Sequence, residues 1–488
     1  MHNRILISVA LTACEFLIGN NVRCQNIDTL VFLKDNYTLE TKTVRTSVGE
    51  KKVTYRSFVH IPYVAKPVDK DYQSLNVSVP VEIDGKFIDA SDAPILFVIG
   101  VGGYMSVNNA RTGKGGLQGG PGRSPAASGS ISSREDLALA AGYVVVAPGC
   151  RGRDNKAVDG TYYGKAPAAI VDLKAAVRYI RHNKGILPGN VEKIVSIGCS
   201  AGGALSALLG TSGNSPLYEK YLKEIGAANE KDDIFAAACF SPITDLEHAD
   251  MAYEWNFGNV PGRFGKVDQA LSEQLKNLNA HYQSSLQLKG RNNFGILSAA
   301  NYDEYLLKHY LFPAADRYLN ELPEEKRSAY LDDNKWIKWT GKKSTFTFID
   351  YAVHAGRMKG LPAFDDFAMK QPEPSLFGNK TIDSRHFTNF SLIQSSGNQT
   401  SEIDSEVKEL VNMMNAMYFL GQNKSDCSEY WWLRNGTSDN HTSQTVMVNL
   451  ATSLENLNKQ VNALLFWDGG HCSDYDPEGF INWIGELN

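Results

Sequence analysis

A chain of 488 residues, 43% hydrophobic and 21% charged, can bury a large core and is long enough for one big domain with an elaborate insertion. The formal charge of −5 is small for that length, and no Lys/Arg block is interleaved with aromatics. That balance argues against a nucleic-acid partner and for small neutral substrates.

Residues 1–24 read as an export signal: one basic residue precedes a short apolar stretch, Ile5 to Leu11, too short to span a membrane. Two ends to it are open. Leu11-Thr12-Ala13-Cys14 resembles a bacterial lipobox, which would put a lipid anchor on Cys14; Val22-Arg23-Cys24 before Gln25 resembles an ordinary cleavage site, and the apolar residues after Cys14 favour it. Either route delivers the chain to an oxidising place where disulfides persist. Asn435-Gly-Thr437 and Asn440-His-Thr442 match the glycosylation sequon but fall in a stretch assigned below to the active site, so a bacterial periplasm or the extracellular space is expected.

Ala93 to Val101 and Gly142 to Pro148 are continuous apolar runs bounded by Gly and Pro, as in strands buried on both faces. Pro167 opens a predicted helix whose Ile170, Leu173, Val177 and Ile180 form one stripe. Lys193 to Ile197 is the next strand, Ala204 to Leu209 the next helix, and Ile234 to Phe240 another buried strand. Such alternation predicts an α/β parallel sheet. From 245 to 401 no strand-helix rhythm is readable, and this stretch is expected to be an inserted lid domain. Alternation resumes with a helix over 406–419, strands over 430–434 and 461–467, and a helix from about Pro477. The core is thus assigned to 25–244 and 402–488.

Ser200 sits in Gly198-Cys199-Ser200-Ala201-Gly202, between an apolar strand and an Ala/Leu helix, the context that a nucleophile elbow requires. The expected architecture is therefore an α/β-hydrolase fold with a large inserted lid domain, and Ser200 its nucleophile. In that fold the acid and then the base follow the serine in sequence. His471, in a Gly-softened loop after the last strand, is the expected base; His354 and His441 are its competitors. Asp439, in the loop after the 430–434 strand, is the expected acid, and Asp468, close before the histidine, is better suited to bracing the loop. The oxyanion hole needs two backbone N–H groups, assigned to Ala201 and to Gly103 or Gly102. Cys199 precedes the serine and Cys472 follows the histidine; if their side chains meet, a disulfide would tie the two loops and add several kcal/mol of stability. Cys150, Cys239 and Cys427 read as unpaired, and their spacing supports no metal site.

The segments PAAIVDLKAAVRYIRHNKG, SAGGALSALLGTSGNS, GRMKGLPAFDDF and HCSDYD, in this order, resemble the bacterial tannases, or tannin acylhydrolases, over most of the chain. The CS, D, HC pattern is similar to the fungal tannase and feruloyl esterase group. The resemblance implies a cofactor-free serine esterase acting on galloyl or other phenolic esters. It also implies that Lys359 and Glu373 bind the ring hydroxyls. Where the family shows a further aspartate, this chain has His441, which cannot supply a carboxylate's charge. A feruloyl or general carboxylesterase and a non-catalytic polyphenol-binding protein are the rival expectations.

Overall fold

In the central strands, neighbouring side chains go to different cores. Ile95, Phe97 and Ile99 belong to one buried cluster, and Leu96 and Val98 to a second on the other face, the two-residue alternation of a sheet covered on both sides. The computed structural model describes residues 29–108, 133–262, 265–422, 424–473 and 476–487. The expected export signal, Cys14 included, and the Gly-rich run 113–122 lie outside them.

Ten strands make one mixed sheet: β1 Thr38–Thr46, β2 Gly49–Pro62, β3 Ser74–Ile83, β4 Lys86–Phe87, β5 Ile95–Ile99, β6 Val144–Pro148, β7 Ile194–Cys199, β8 Ala236–Phe240, β9 Tyr430–Gly436 and β10 Gln460–Phe466. Their spatial order is β1-β2-β3-β6-β5-β7-β8-β9-β10, with β4 paired to β3. The first three strands run antiparallel, and from β6 onward every pairing is parallel. This N-terminal antiparallel wing was not predicted: its strands expose one edge and mix polar with apolar residues, so they carry no continuous apolar run.

The first face is covered by α2 (Ala168–His182), α3 (Ala201–Thr211) and α5 (Gln444–Asn456), and the second by α1 (Arg134–Ala140) and α6 (Pro477–Glu486). The predicted stripe Ile170, Leu173, Val177 and Ile180 is buried in the first cluster. One predicted helix is corrected. The stretch 406–419 is two helices, Ser405–Met413 and Ala416–Gln422, because Asn415 uses its side chain to cap the second and to reach Asp245 instead of continuing the first. Its amide donates to Asp245 at 2.8 Å and its carbonyl oxygen accepts from the Met417 N–H at 2.9 Å.

Residues 245–401 are also more regular than their sequence suggested. They form helices, among them α4 (Leu246–Phe257) and Gln269–Ser285, and two short ribbons, Lys289–Gly290 with Gly295–Ile296 and Lys338–Trp339 with Ser344–Thr345. A fully buried pair, Glu254 with Arg357 at 2.5 Å, ties α4 to the loop that follows the helix Phe348–Ala355. Ser272 donates to the same carboxylate at 2.7 Å, so the buried charges are hydrogen-bonded as burial demands. Among the described residues no helix is long and apolar enough to cross a membrane.

Candidate active site

Ser200 stands between β7 and α3 with φ 59° and ψ −123°, a conformation that side chains other than glycine seldom adopt. The turn is that tight because strand and helix nearly touch: a Cβ on Gly198 would lie 2.2 Å from the Gly202 carbonyl oxygen, and one on Gly202 would lie 2.8 Å from that of Val101. Two backbone bonds hold it. The Ser200 N–H donates to Phe240 O at the end of β8 (3.0 Å), and the Gly202 N–H donates to Val101 O (3.0 Å). Strain of this kind, on the order of 1–3 kcal/mol, persists only where its surroundings impose it.

His471 follows β10, and Asp439 follows β9. The His471 ring Nδ1 lies 2.9 Å from Asp439 Oδ2. Asp439 is fully buried; burial pushes its carboxyl up, but the His471 contact, a Ser241 hydroxyl and the His441 N–H together hold it below the ordinary range. The disulfide Cys199–Cys472 is formed, with the two Cα atoms 5.7 Å apart, and links the residue before Ser200 to the residue after His471. Ligand atoms of Cys199, His471 and Cys472 lie within 4.8 Å of one another, but disulfide sulfurs are not the thiolates that bind metals. Cys150, Cys239 and Cys427 are free.

Asp468 is elsewhere engaged. Its carboxylate lies 2.6 Å from His354 Nε2 and accepts the Tyr330 hydroxyl at 2.6 Å, so the competing acid and one competing histidine brace each other. Asn435 is buried, its side chain hydrogen-bonded to Ser241 and Gln444, which leaves that sequon no access to a glycan.

Gly103 lies in a turn in which its neighbour's carbonyl, Gly102 O, accepts the Met105 N–H at 3.0 Å. Across a planar trans peptide the Gly103 N–H then points the other way. Neither it nor the Ala201 N–H has a hydrogen-bond partner among the described residues.

Lys359 is presented by α4. Tyr253 of that helix accepts the N–H groups of Met358 (3.2 Å) and Lys359 (3.0 Å) and donates to Asn440 O (3.0 Å). Asp250, also on α4, accepts the N–H groups of Phe364 and Asp365 at 2.7 and 3.1 Å. The Lys359 ammonium sits 3.4 Å from the centre of the Phe364 ring. Burial pushes this lysine down, partly offset by Glu373, Asp250 and Asp439. Glu373, in the short helix Pro372–Leu376, is buried, and its Oε2 has no hydrogen-bond partner. Burial raises its carboxyl, partly offset by Lys359 and Arg153.

His441 stacks on His471, with centroids 4.0 Å apart and planes 13° from parallel. Burial and the neighbouring His471 push His441 down to about 4, so it is neutral near pH 7. The residues Asp250, Tyr253 and Ser241 were missed in the sequence. They act by holding backbone or a buried carboxylate, a role that leaves no motif.

An α/β sheet with this strained turn and this His–Asp pair at one edge is the arrangement of an ester hydrolase. A model of the family described as BD-FAE matches residues 124–284. Esterase LipC of Mycobacterium tuberculosis is 43% identical over 58 residues, which are 12% of this chain and 14% of that esterase. The tannase of Fusobacterium nucleatum is 36% identical, with 93% of this chain and 98% of that one covered and a TM-score of 0.79. A tannin acyl hydrolase in complex with ethyl gallate is 34% identical, with the same coverage and a TM-score of 0.78. The chain belongs to the tannase family of ester hydrolases.

Proposed function

We propose that the protein is an exported serine esterase that cleaves galloyl esters through an acyl-enzyme on Ser200. The observation that carries this reading is the buried Glu373, one carboxylate oxygen of which has no hydrogen-bond partner, in electrostatic reach of the half-buried Lys359, which in turn feels the Asp439 that holds His471. An apolar core would not keep such groups. Vicinal phenolic hydroxyls both donate and accept, and would meet that oxygen and the ammonium at once.

In this mechanism His471 takes the proton of the Ser200 hydroxyl as it attacks the ester carbonyl, and Asp439 steadies the imidazolium. The Ala201 and Gly103 N–H groups receive the oxyanion. His471 then protonates the leaving alcohol, and water, deprotonated by the same ring, releases the acid. The 245–401 stretch serves as the lid that carries Lys359 and Glu373 over the serine. His441 occupies a position where a third ring-binding group is expected; as a neutral imidazole it offers one donor and one acceptor.

That neutral ring also favours a second reading, a feruloyl esterase, whose substrate carries fewer ring hydroxyls. Methyl gallate, methyl protocatechuate and methyl ferulate hydrolysed side by side, with Ser200→Ala as the blank, test both. Preference for the gallate supports the proposal. Preference for the ferulate moves the pocket to the second reading, and full activity in a folded Ser200→Ala protein refutes the mechanism.

A further inference from the structure

The turn that offers the Gly103 N–H is costly by itself. Gly103 and Tyr104 take φ 54° and 57° in succession, and a left-handed tyrosine costs roughly 1–2 kcal/mol. Something outside the turn must hold it, and the segment after β6 does so along its length. Val107 and Cys150 exchange backbone bonds at 2.9 and 3.1 Å. Asp154 accepts the Ser106 N–H at 2.7 Å and its hydroxyl at 2.8 Å. Between them Gly152 packs so closely that a Cβ there would lie 2.1 Å from the Ser106 nitrogen.

Arg153 grips the two strained residues themselves. Its backbone N–H donates to Tyr104 O at 2.9 Å, and its side-chain Nε donates to Gly103 O at 2.8 Å. The second is a charge-assisted bond, about twice as strong as a neutral one. The preceding Arg151 is buried against Asp172 of α2 at 2.8 Å, which anchors the segment in the core. The two terminal guanidinium nitrogens of Arg153 make no hydrogen bond among the described residues, and its charge acts on Glu373. Tyr104, whose hydroxyl donates to Ile243 O at 3.5 Å, lies within electrostatic reach of the same carboxylate.

We propose that Arg153 is the positioning residue of the oxyanion hole: by holding the Gly103 and Tyr104 carbonyls it fixes the left-handed turn, and through it the direction of the Gly103 N–H in the preceding peptide, before the substrate arrives. The inference deepens the esterase reading and rests on it. Because the oxyanion forms with any ester, the role extends to substrates that carry no ring hydroxyls.

The test compares Arg153→Met and Arg153→Lys with the wild type on methyl gallate and on p-nitrophenyl acetate, with thermal unfolding as the check on folding. Losing one oxyanion donor costs about 10²–10³ in kcat, so misaiming it should cost about 10–100-fold. The expected result is that loss in kcat for Arg153→Met on both esters, with KM for methyl gallate within threefold and a partial recovery in Arg153→Lys. A kcat within twofold of wild type, or a loss confined to KM for methyl gallate, overturns the proposal. Should Arg153→Met not fold, an Arg153→Lys protein with unchanged kcat overturns it equally. Wild-type protein active on the acetate but not on methyl gallate removes the galloyl reading and leaves Arg153 testable on the acetate; activity on neither overturns both.

Discussion

Replacing Cys199 and Cys472 together by alanine cuts a tie that closes a loop of 273 residues. In the chain-entropy model a loop of that length raises the stability of the native state by about 5–6 kcal/mol at 25 °C. A chain of 488 residues unfolds with an entropy of about 1 kcal/mol/K, so the midpoint should fall by about 5 °C. Activity should fall by more than stability alone explains. The bond fixes the Cα atoms of the residues beside Ser200 and His471 at 5.7 Å, and in the proposed mechanism a displacement of about 1 Å between these two costs on the order of 10²-fold in rate. The assay is kcat on methyl gallate at 25 °C, where both proteins are folded, together with a melting curve of the oxidised, reduced and double-alanine forms. A midpoint and a kcat both indistinguishable from those of the oxidised protein would refute the argument that this bond holds the two loops in register.

Glu373→Gln keeps the shape of the side chain but removes the charged acceptor, worth about 1.5–3 kcal/mol, so kcat/KM for methyl gallate should drop about 10–150-fold while p-nitrophenyl acetate hydrolysis stays unchanged. Asp439→Asn should cost about 10⁴-fold in kcat, whereas Asp468→Asn should leave kcat within threefold and lower stability by about 1–3 kcal/mol through its Tyr330 and His354 contacts; steady-state rates and urea titrations separate the two. Acid should destabilise the fold: unfolded His441 takes up a proton below its ordinary value of about 6.5, while the folded ring resists until about 4, so stability falls as pH drops through that window. Asp439, held low, adds to the loss at more acid pH. Melting curves from pH 7 to 4 should show the slope, and His441→Gln should flatten it.

The parallel half of the sheet was readable because strands such as β5 and β6 are buried along their whole length and so appear as unbroken apolar runs. Ser200 and Asp439 were proposed from sequence because each follows a largely buried strand, and His471 because it follows the last strand, β10, whose alternating burial leaves a weaker signal. Lys359 and Glu373 carry no local signal and were reached only through resemblance. Lys359 is placed by Tyr253 of α4 and Glu373 by the helix Pro372–Leu376, so only the folded chain brings the two charges within reach of each other. Arg153 lay in plain view after the fully buried strand β6, yet its partners are carbonyl oxygens of a turn 50 residues earlier, and no side-chain pattern announces a bond to backbone.

The order of the strands has a consequence for the birth of the molecule. Strand β8 pairs with β9 through partners such as Ala236 and Tyr430, with the whole 245–401 stretch made in between. At usual rates of synthesis that gap lasts on the order of ten seconds or more, during which the outer edge of β8 has no neighbour. Its sequence, Ala-Ala-Ala-Cys-Phe, offers neither charge nor proline to discourage another chain from docking there. The protein is therefore most exposed to mispairing midway through its making, and chaperones that shield strand edges should matter more to its yield than to the finished enzyme.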